Sequence, residues 1–226
     1  MTYARKLPFL LLALAVTGFV TVSVPRYLTF DPARSRIPPP EQYPFYYPVL
    51  VTHVLCGTVA ILSCLFQVWP WFREHHRRAH RRIGRAYVAG VWFAGLAALV
   101  LGVVTPFGPV LRVSDVTLAL LWLSVTTYGF LLARRGRYAE HRRWMLRSFA
   151  LTVSIVVNRI VGIPIALLLI GRLDTTFAGN ATWMVATIAG LTGWVSWTLV
   201  LLIVEGWLEH DTRRRAGRGA QVVAVR

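Results

Sequence analysis

Apolar residues gather into six runs, at 7–24, 48–71, 86–105, 115–133, 148–171 and 183–204, separated by short stretches where arginine, proline and glycine concentrate. Each run reaches the roughly 18 residues that a helix needs to cross the hydrocarbon of a bilayer. The pattern predicts an all-α fold, a polytopic integral membrane bundle of six transmembrane helices. Pro106-Phe107-Gly108-Pro109 marks a turn after the third run. The first run follows Arg5 and Lys6 and reads as a retained helix. Its end, Val22-Ser23-Val24-Pro25, lacks the small-x-small pattern of a cleaved signal.

Helix faces suggest which spans meet. In the second run His53, Gly57, Ala60, Cys64 and Gln67 recur at steps of four and three, so they share one stripe. In the fifth, Ser148, Thr152, Ile155, Arg159, Gly162 and Ala166 do the same. The third carries Gly90, Ala94, Ala98 and Gly102, small residues that let helices approach closely. The fourth places Thr117, Ser124 and Tyr128 near one face. These patterns predict a four-helix core of spans two to five, with spans one and six peripheral. The chain then divides into four parts. Residues 1–47 hold the first helix and a loop rich in proline and aromatic rings, which suit a membrane–water interface. Residues 48–171 form the core of two hairpins, and 172–204 a loop and the sixth helix. The basic tail, 205–226, is expected to be disordered and to touch anionic headgroups.

Charge sets the orientation. The 226 residues include 25 Lys and Arg against 9 Asp and Glu, a formal net charge of +16. Such an excess would suit a nucleic-acid binder, but it sits in short loops between apolar runs, where it meets lipid instead. The N-terminus, the second and fourth loops and the tail hold nineteen of the basic residues and the three opposite loops hold five. The expectation is a cell-membrane protein with both termini cytoplasmic. Cys56 and Cys64, eight residues apart on one helix, lie about 12 Å apart and cannot bridge each other. Phosphate-binding glycine loops, His-Glu-x-x-His, Gly-x-Ser-x-Gly and Cys-x-x-Cys are all absent from the sequence. None of the nine acidic residues falls squarely mid-membrane, which argues against a carboxylate-based proton pump.

Two groups of residues carry candidate chemistry. One is a repeated block: His80-Arg81-Arg82-Ile83-Gly84-Arg85-Ala86-Tyr87 is answered by His141-Arg142-Arg143-Trp144-Met145-Leu146-Arg147-Ser148-Phe149. Both stand where an apolar run begins, on the same predicted side. Neutral imidazoles on facing helices can ligate a metal or hold haem b between them. Arg85 and Arg147, with Arg82 and Arg143, would then pair with the propionates. The plainer reading makes both blocks topological anchors. The other group centres on Arg159, a charge well inside the fifth run and costly in hydrocarbon. With His53, Asn158 and Asp115 it would form a polar site for an anionic small molecule, a lipid headgroup or a quinone carbonyl. Asp115 is the candidate counter-ion. The alternative is a structural hydrogen-bond network, which Pro164 would feed by freeing a carbonyl one turn on.

The segments Thr52-His53-Val54-Leu55-Cys56-Gly57, Phe66-Gln67 and the two His-Arg-Arg blocks together resemble the bacterial family of predicted membrane proteins called "domain of unknown function 2306". The likeness runs from about His53 to Arg159. It implies a multi-pass membrane protein and brings no activity or catalytic residue with it. Three functions therefore stand open: a redox protein holding haem or quinone, a transporter or small-molecule or lipid-binding protein using Arg159, and a structural accessory subunit.

Overall fold

Proline and glycine set the joints between the helices. Pro70 pushes Trp69 into an extended conformation and ends one helix while opening the next. Gly108, at φ +87°, turns the chain into the following helix, and Gly136, at φ +75°, does so once more. The protein, seen here as a computed structural model, is described over residues 3–37 and 39–224, with side-chain surroundings given for residues 7, 9–37 and 39–214. Its helices are α1 (Tyr3–Ser23), α2 (Tyr46–Val68), α3 (Pro70–His75), α4 (Arg77–Val103), α5 (Gly108–Arg134), α6 (Tyr138–Ile170), α7 (Leu173–Thr176) and α8 (Ala181–Ala224). Six of them, α1, α2, α4, α5, α6 and α8, are long and apolar enough to cross a membrane. There is no strand among the described residues.

The helices outrun the apolar segments at the arginine-rich end. α4 starts at Arg77 and α6 at Tyr138, so both His-Arg-Arg blocks are helical and not loops at a helix mouth. α8 likewise continues to Ala224, where the basic tail was expected to be disordered. Hydropathy locates the membrane-crossing part of a helix, whereas backbone hydrogen bonding continues into water wherever charged residues with good helix propensity follow. Salt bridges tie this end together. Arg147 binds Glu205 at 2.5 and 2.8 Å, and Arg142 reaches Asp211 at 3.6 Å.

α8 is also not peripheral. After α2 with α4, its pairing with α6 is the most extensive in the bundle, and it packs on α5 as well. Trp197 and Val200 are buried, and Trp197 donates its indole N–H to Ser114 Oγ at 3.1 Å. The small residues Gly190 and Gly193 permit this approach. A Cβ on either would stand 2.8 or 2.7 Å from Val110 or Leu111 of α5. The core is therefore five helices, α2, α4, α5, α6 and α8. α1 lies outside, touching it through Val16, which packs with Ile61 and Val156.

The expected stripes on α2 and α6 face the bundle or, at the exposed Ile155 and Arg159, a cavity within it, but the α5 face does neither. Ser124 and Tyr128 are exposed, and Tyr128 packs edge-on against Trp144. The buried face of α5 runs through Ser114, Ala119, Trp122, Thr126, Gly129 and Leu132. A hydroxyl in a helix can satisfy itself on its own backbone, as Thr127 does on the Leu123 carbonyl, so polarity alone did not mark the inner side.

Candidate functional site

At the end opposite the arginine-rich blocks, the five core helices and α1 splay around a cavity of about 790 Å³. That lies within the ~300–1,000 Å³ usual for small-molecule sites. On α6 its lining runs from Leu151 to Ala166, about 22 Å at helical rise, so the cavity is deep and narrow. Most of the wall is apolar: Leu50, Ile61, Leu101, Leu118, Ile155 and Ile163 are among its residues. Towards the arginine-rich end it stops at Trp122, Leu151 and Thr152.

All four residues expected to form a polar site, His53, Asp115, Asn158 and Arg159, line this cavity. α2 brings His53 in on the stripe that faces α4. Its Nδ1 lies 2.9 Å from the Ala94 carbonyl. A carbonyl only accepts, so Nδ1 carries the hydrogen and Nε2 keeps a lone pair. The α6 stripe brings Asn158 and Arg159, and Pro164 one turn later lacks the N–H that would bond the Ile160 carbonyl. α6 nevertheless continues through Pro164 to Ile170.

Asp115, the expected counter-ion, forms no ion pair with Arg159 among the described residues. It sits where α4 meets α5, its Cβ only 3.2 Å from where a Cβ on Gly102 would stand. Arg159 instead stands in the field of Arg36 and of the Tyr27 phenol. Arg26, Tyr27 and Arg36 come from the loop after α1 and line the cavity too. Among the described residues none of Arg26, Arg36 and Arg159 is in an ion pair. Three guanidiniums thus converge on one largely apolar cavity with a single carboxylate on its wall. The loop residues Arg26 and Arg36 were missed because a proline-rich loop has no periodicity from which a facing direction can be read. The only signal was that three arginines crowd into an otherwise weakly basic side of the chain.

The loop is held over the cavity by rings. Tyr27, Tyr46 and Tyr47 pack with Leu50 and Val51, and Ile37, Tyr43, Leu101 and Val104 close around them. Two short 3-10 turns, Pro25–Tyr27 and Pro32–Arg34, place the arginines, the second capped by Asp31 accepting from the Ala33 N–H.

The histidine pair stands elsewhere. His80 and His141 are on the inner faces of α4 and α6 near the arginine-rich end, close enough for His141 to act electrostatically on His80. Neither lines the cavity. His141 Nδ1 donates to the Gly129 carbonyl at 2.7 Å, which again leaves Nε2 with the lone pair. His80 Nδ1 is buried without a hydrogen-bond partner among the described residues. Arg147, the expected propionate ligand beside His141, is held by Glu205 and lies over the Trp144 ring at 4.8 Å. Arg85 is exposed. No group of three or more potential metal ligands occurs among the described residues.

Between the two sites lies a buried hydroxyl cluster that sequence patterns only half revealed. Thr126 Oγ1 meets Ser148 Oγ at 2.6 Å, Ser148 Oγ meets the Tyr87 hydroxyl at 2.5 Å, and Tyr87 meets Thr152 Oγ1 at 2.8 Å. The Trp122 indole donates to Thr152 Oγ1 at 2.9 Å. Ser148 and Thr152 were visible as an inward stripe. Tyr87 and Thr126 were not, because only tertiary packing shows which hydroxyls face one another.

A family model described as "Predicted membrane protein (DUF2306)" matches residues 50–207, from the second turn of α2 to the point where α8 meets Arg147. No curated protein and no solved structure matches the chain.

Proposed function

The chain belongs to the predicted membrane protein family DUF2306, and we propose that it binds an anionic amphiphile in the cavity. Its ligand has an apolar chain and a phosphate or carboxylate head, and the protein sits in the cell membrane with the arginine-rich loops and both termini in the cytoplasm. The observation that carries this reading is the convergence of Arg26, Arg36 and Arg159, without ion pairs, on an apolar cavity. Charges of one sign gathered without partners raise each other's energy, and an oxyanion relieves that while accepting forked hydrogen bonds from guanidinium. The apolar wall then takes the chain. His53 Nε2 and the Asn158 carboxamide add polar contacts that fix the head's orientation. The positive-inside bias supports placing the cavity mouth towards the outer leaflet.

A haem between His80 and His141 is the other chemistry these residues suggest. It takes second place because Arg147 is committed to Glu205 and neither imidazole borders the cavity. A quinone in the cavity would rest on its neutral carbonyls and gain far less from three positive charges.

The test is charge discrimination at constant chain length. Protein in neutral detergent is titrated with dodecyl phosphate, laurate or 1-dodecanol at matched mole fraction, and its thermal midpoint followed. Ligand that binds only the folded state raises the midpoint in proportion to RT ln(1 + [L]/Kd). Both anionic amphiphiles are expected to raise it and the alcohol to leave it unchanged. Equal effects of all three, or none, would overturn the reading.

A further inference from the structure

The binding reading leaves the repeated His-Arg-Arg blocks unused, and their register gives them a role. In both blocks the residue seven positions after the histidine belongs to the hydroxyl cluster: His80 precedes Tyr87, and His141 precedes Ser148. Seven residues is two helical turns, so each histidine lies on the inward face of its helix about 10 Å nearer the arginine-rich end. Gly84, one turn below His80 on that same face, has no side chain. The Gln67 carboxamide of α2 fills the place, its Oε1 3.3 Å from the ideal Cβ position and its Nε2 donating to the His80 carbonyl at 3.0 Å. Between His80 and Tyr87 this face thus carries a carboxamide, while on α6 Trp144 and Met145 pack against the core. The buried Nδ1 of His80, without a protein partner, stands at the head of that face. Such an atom needs a hydrogen-bond partner, and a bridging water satisfies it at a site with several polar neighbours.

From there the cluster runs unbroken: Ser148 to Tyr87 at 2.5 Å and Tyr87 to Thr152 at 2.8 Å, with Thr126 branching from Ser148. Tyr87, Ser148 and Thr126 are 1%, 0% and 0% exposed, which isolates them from both faces. Thr152 is the end that lines the cavity, where His53 and Asp115 are proton-accepting side chains. Every hydroxyl in this row is both donor and acceptor, the property a proton relay requires. Imidazole at its head is the side chain whose ordinary protonation range lies nearest neutrality.

We infer that a proton path joins the His80–His141 pair at the arginine-rich end to the cavity floor at Thr152, through Ser148 and Tyr87. One proton binds an imidazole nitrogen, passes through bridging water to the first hydroxyl, and each hydroxyl accepts a proton from its neighbour as it releases its own. The Thr152 hydroxyl, which rests donating to the Ser148 carbonyl at 2.9 Å, turns to release one proton into the cavity, and the hydroxyls then rotate back. Only N–H and O–H bonds form and break, no electron moves, and the driving force is the transmembrane potential or proton gradient. Burial first, and then the charges of Arg73, His141 and Arg81, disfavour the protonated form of His80, so a proton there is not held. The path needs no carboxylate within the membrane and does not depend on the nature of the cavity's ligand.

Purified full-length protein in liposomes with an internal pH dye, under a potassium diffusion potential set by valinomycin, tests this. Wild-type vesicles are expected to take up protons well above the protein-free rate. Tyr87→Phe removes the central hydroxyl but keeps the ring, and is expected to reduce the protein-dependent flux by at least about tenfold. If Tyr87→Phe does not give folded protein, Ser148→Ala takes its place under the same criterion. Flux is read with no amphiphile added, so failure of ligand binding and failure of the path are separable. A wild-type rate equal to protein-free vesicles, or undiminished flux in the folded hydroxyl variant, overturns the inference.

Discussion

Arg159→Gln is expected to weaken binding of dodecyl phosphate between tenfold and a hundredfold while leaving the ligand-free protein at least as stable as wild type. The size follows from what is removed. A hydrogen bond to a charged group contributes roughly 1.5–3 kcal/mol, and about 1.4 kcal/mol is a factor of ten in affinity. The stability half of the prediction follows from what Arg159 lacks. It is in no ion pair among the described residues and feels the like charge of Arg36 across the cavity. Removing it strands no buried partner and relieves repulsion, so the empty protein keeps or raises its thermal midpoint. Binding residues that hold a protein in a less favourable state commonly behave this way. A midpoint that falls by several degrees, with dodecyl phosphate affinity unchanged, would instead make Arg159 a structural residue of α6.

Gly90→Val is expected to destabilise the bundle by about 3 kcal/mol or more, the upper end of the usual cost of overpacking. α4 presses on α2 at this residue. A Cβ on Gly90 would stand 2.9 Å from the Cys56 carbonyl oxygen and 3.2 Å from the Ala60 nitrogen. Both are backbone atoms of α2, so no rotamer change makes room. The helices must separate, and α2 with α4 is the most extensive helix pair in the protein. Transmembrane helices hold together largely by close packing of small residues, so separation forfeits the contact itself. His53 would lose its bond to Ala94, four residues along α4, in the same movement. Gly57→Ala is the matched control. Its Cβ would meet Ala94 Cβ at 4.0 Å, an ordinary contact, and replacing a mid-helix glycine gains up to about 1 kcal/mol. Unfolding in mixed detergent should separate the two variants clearly. Equal midpoints would mean that the α2–α4 seam yields more easily than its geometry implies.

Much of this was legible in the chain because a membrane restricts the grammar of a helix. Small and polar residues repeating at three and four on α2 and α6 had to face protein, and they do: His53 and Gln67 bond to α4, and Ile155, Arg159, Gly162 and Ala166 line the cavity. The same logic misjudged α5 and α8. Ser124 and Tyr128 are polar yet exposed, while α8 enters the core with Trp197, Ser196 and Gly193. A tryptophan reads equally well as a core residue or an interface anchor, and only the hydroxyl it meets, Ser114, decides. Helix ends were hidden for a simpler reason. Arginine is a good helix former and a poor hydrophobe, so hydropathy lost α4 and α6 at their charged first turns. That Arg36 comes within the electrostatic reach of Arg159 depends on how an aperiodic loop folds back, which no local pattern encodes.

The most direct test of the central claim is to trap the ligand where it sits. Protein in bilayers is exposed to a fatty acid carrying a diazirine near its carboxylate, irradiated, digested and sequenced by mass spectrometry. A headgroup held by the arginines predicts adducts on residues 26–37 and 158–166, lost in excess laurate and in Arg159→Gln. Adducts confined to lipid-facing residues such as Leu167, Leu168 and Leu202, which neither laurate nor the substitution removes, would contradict it.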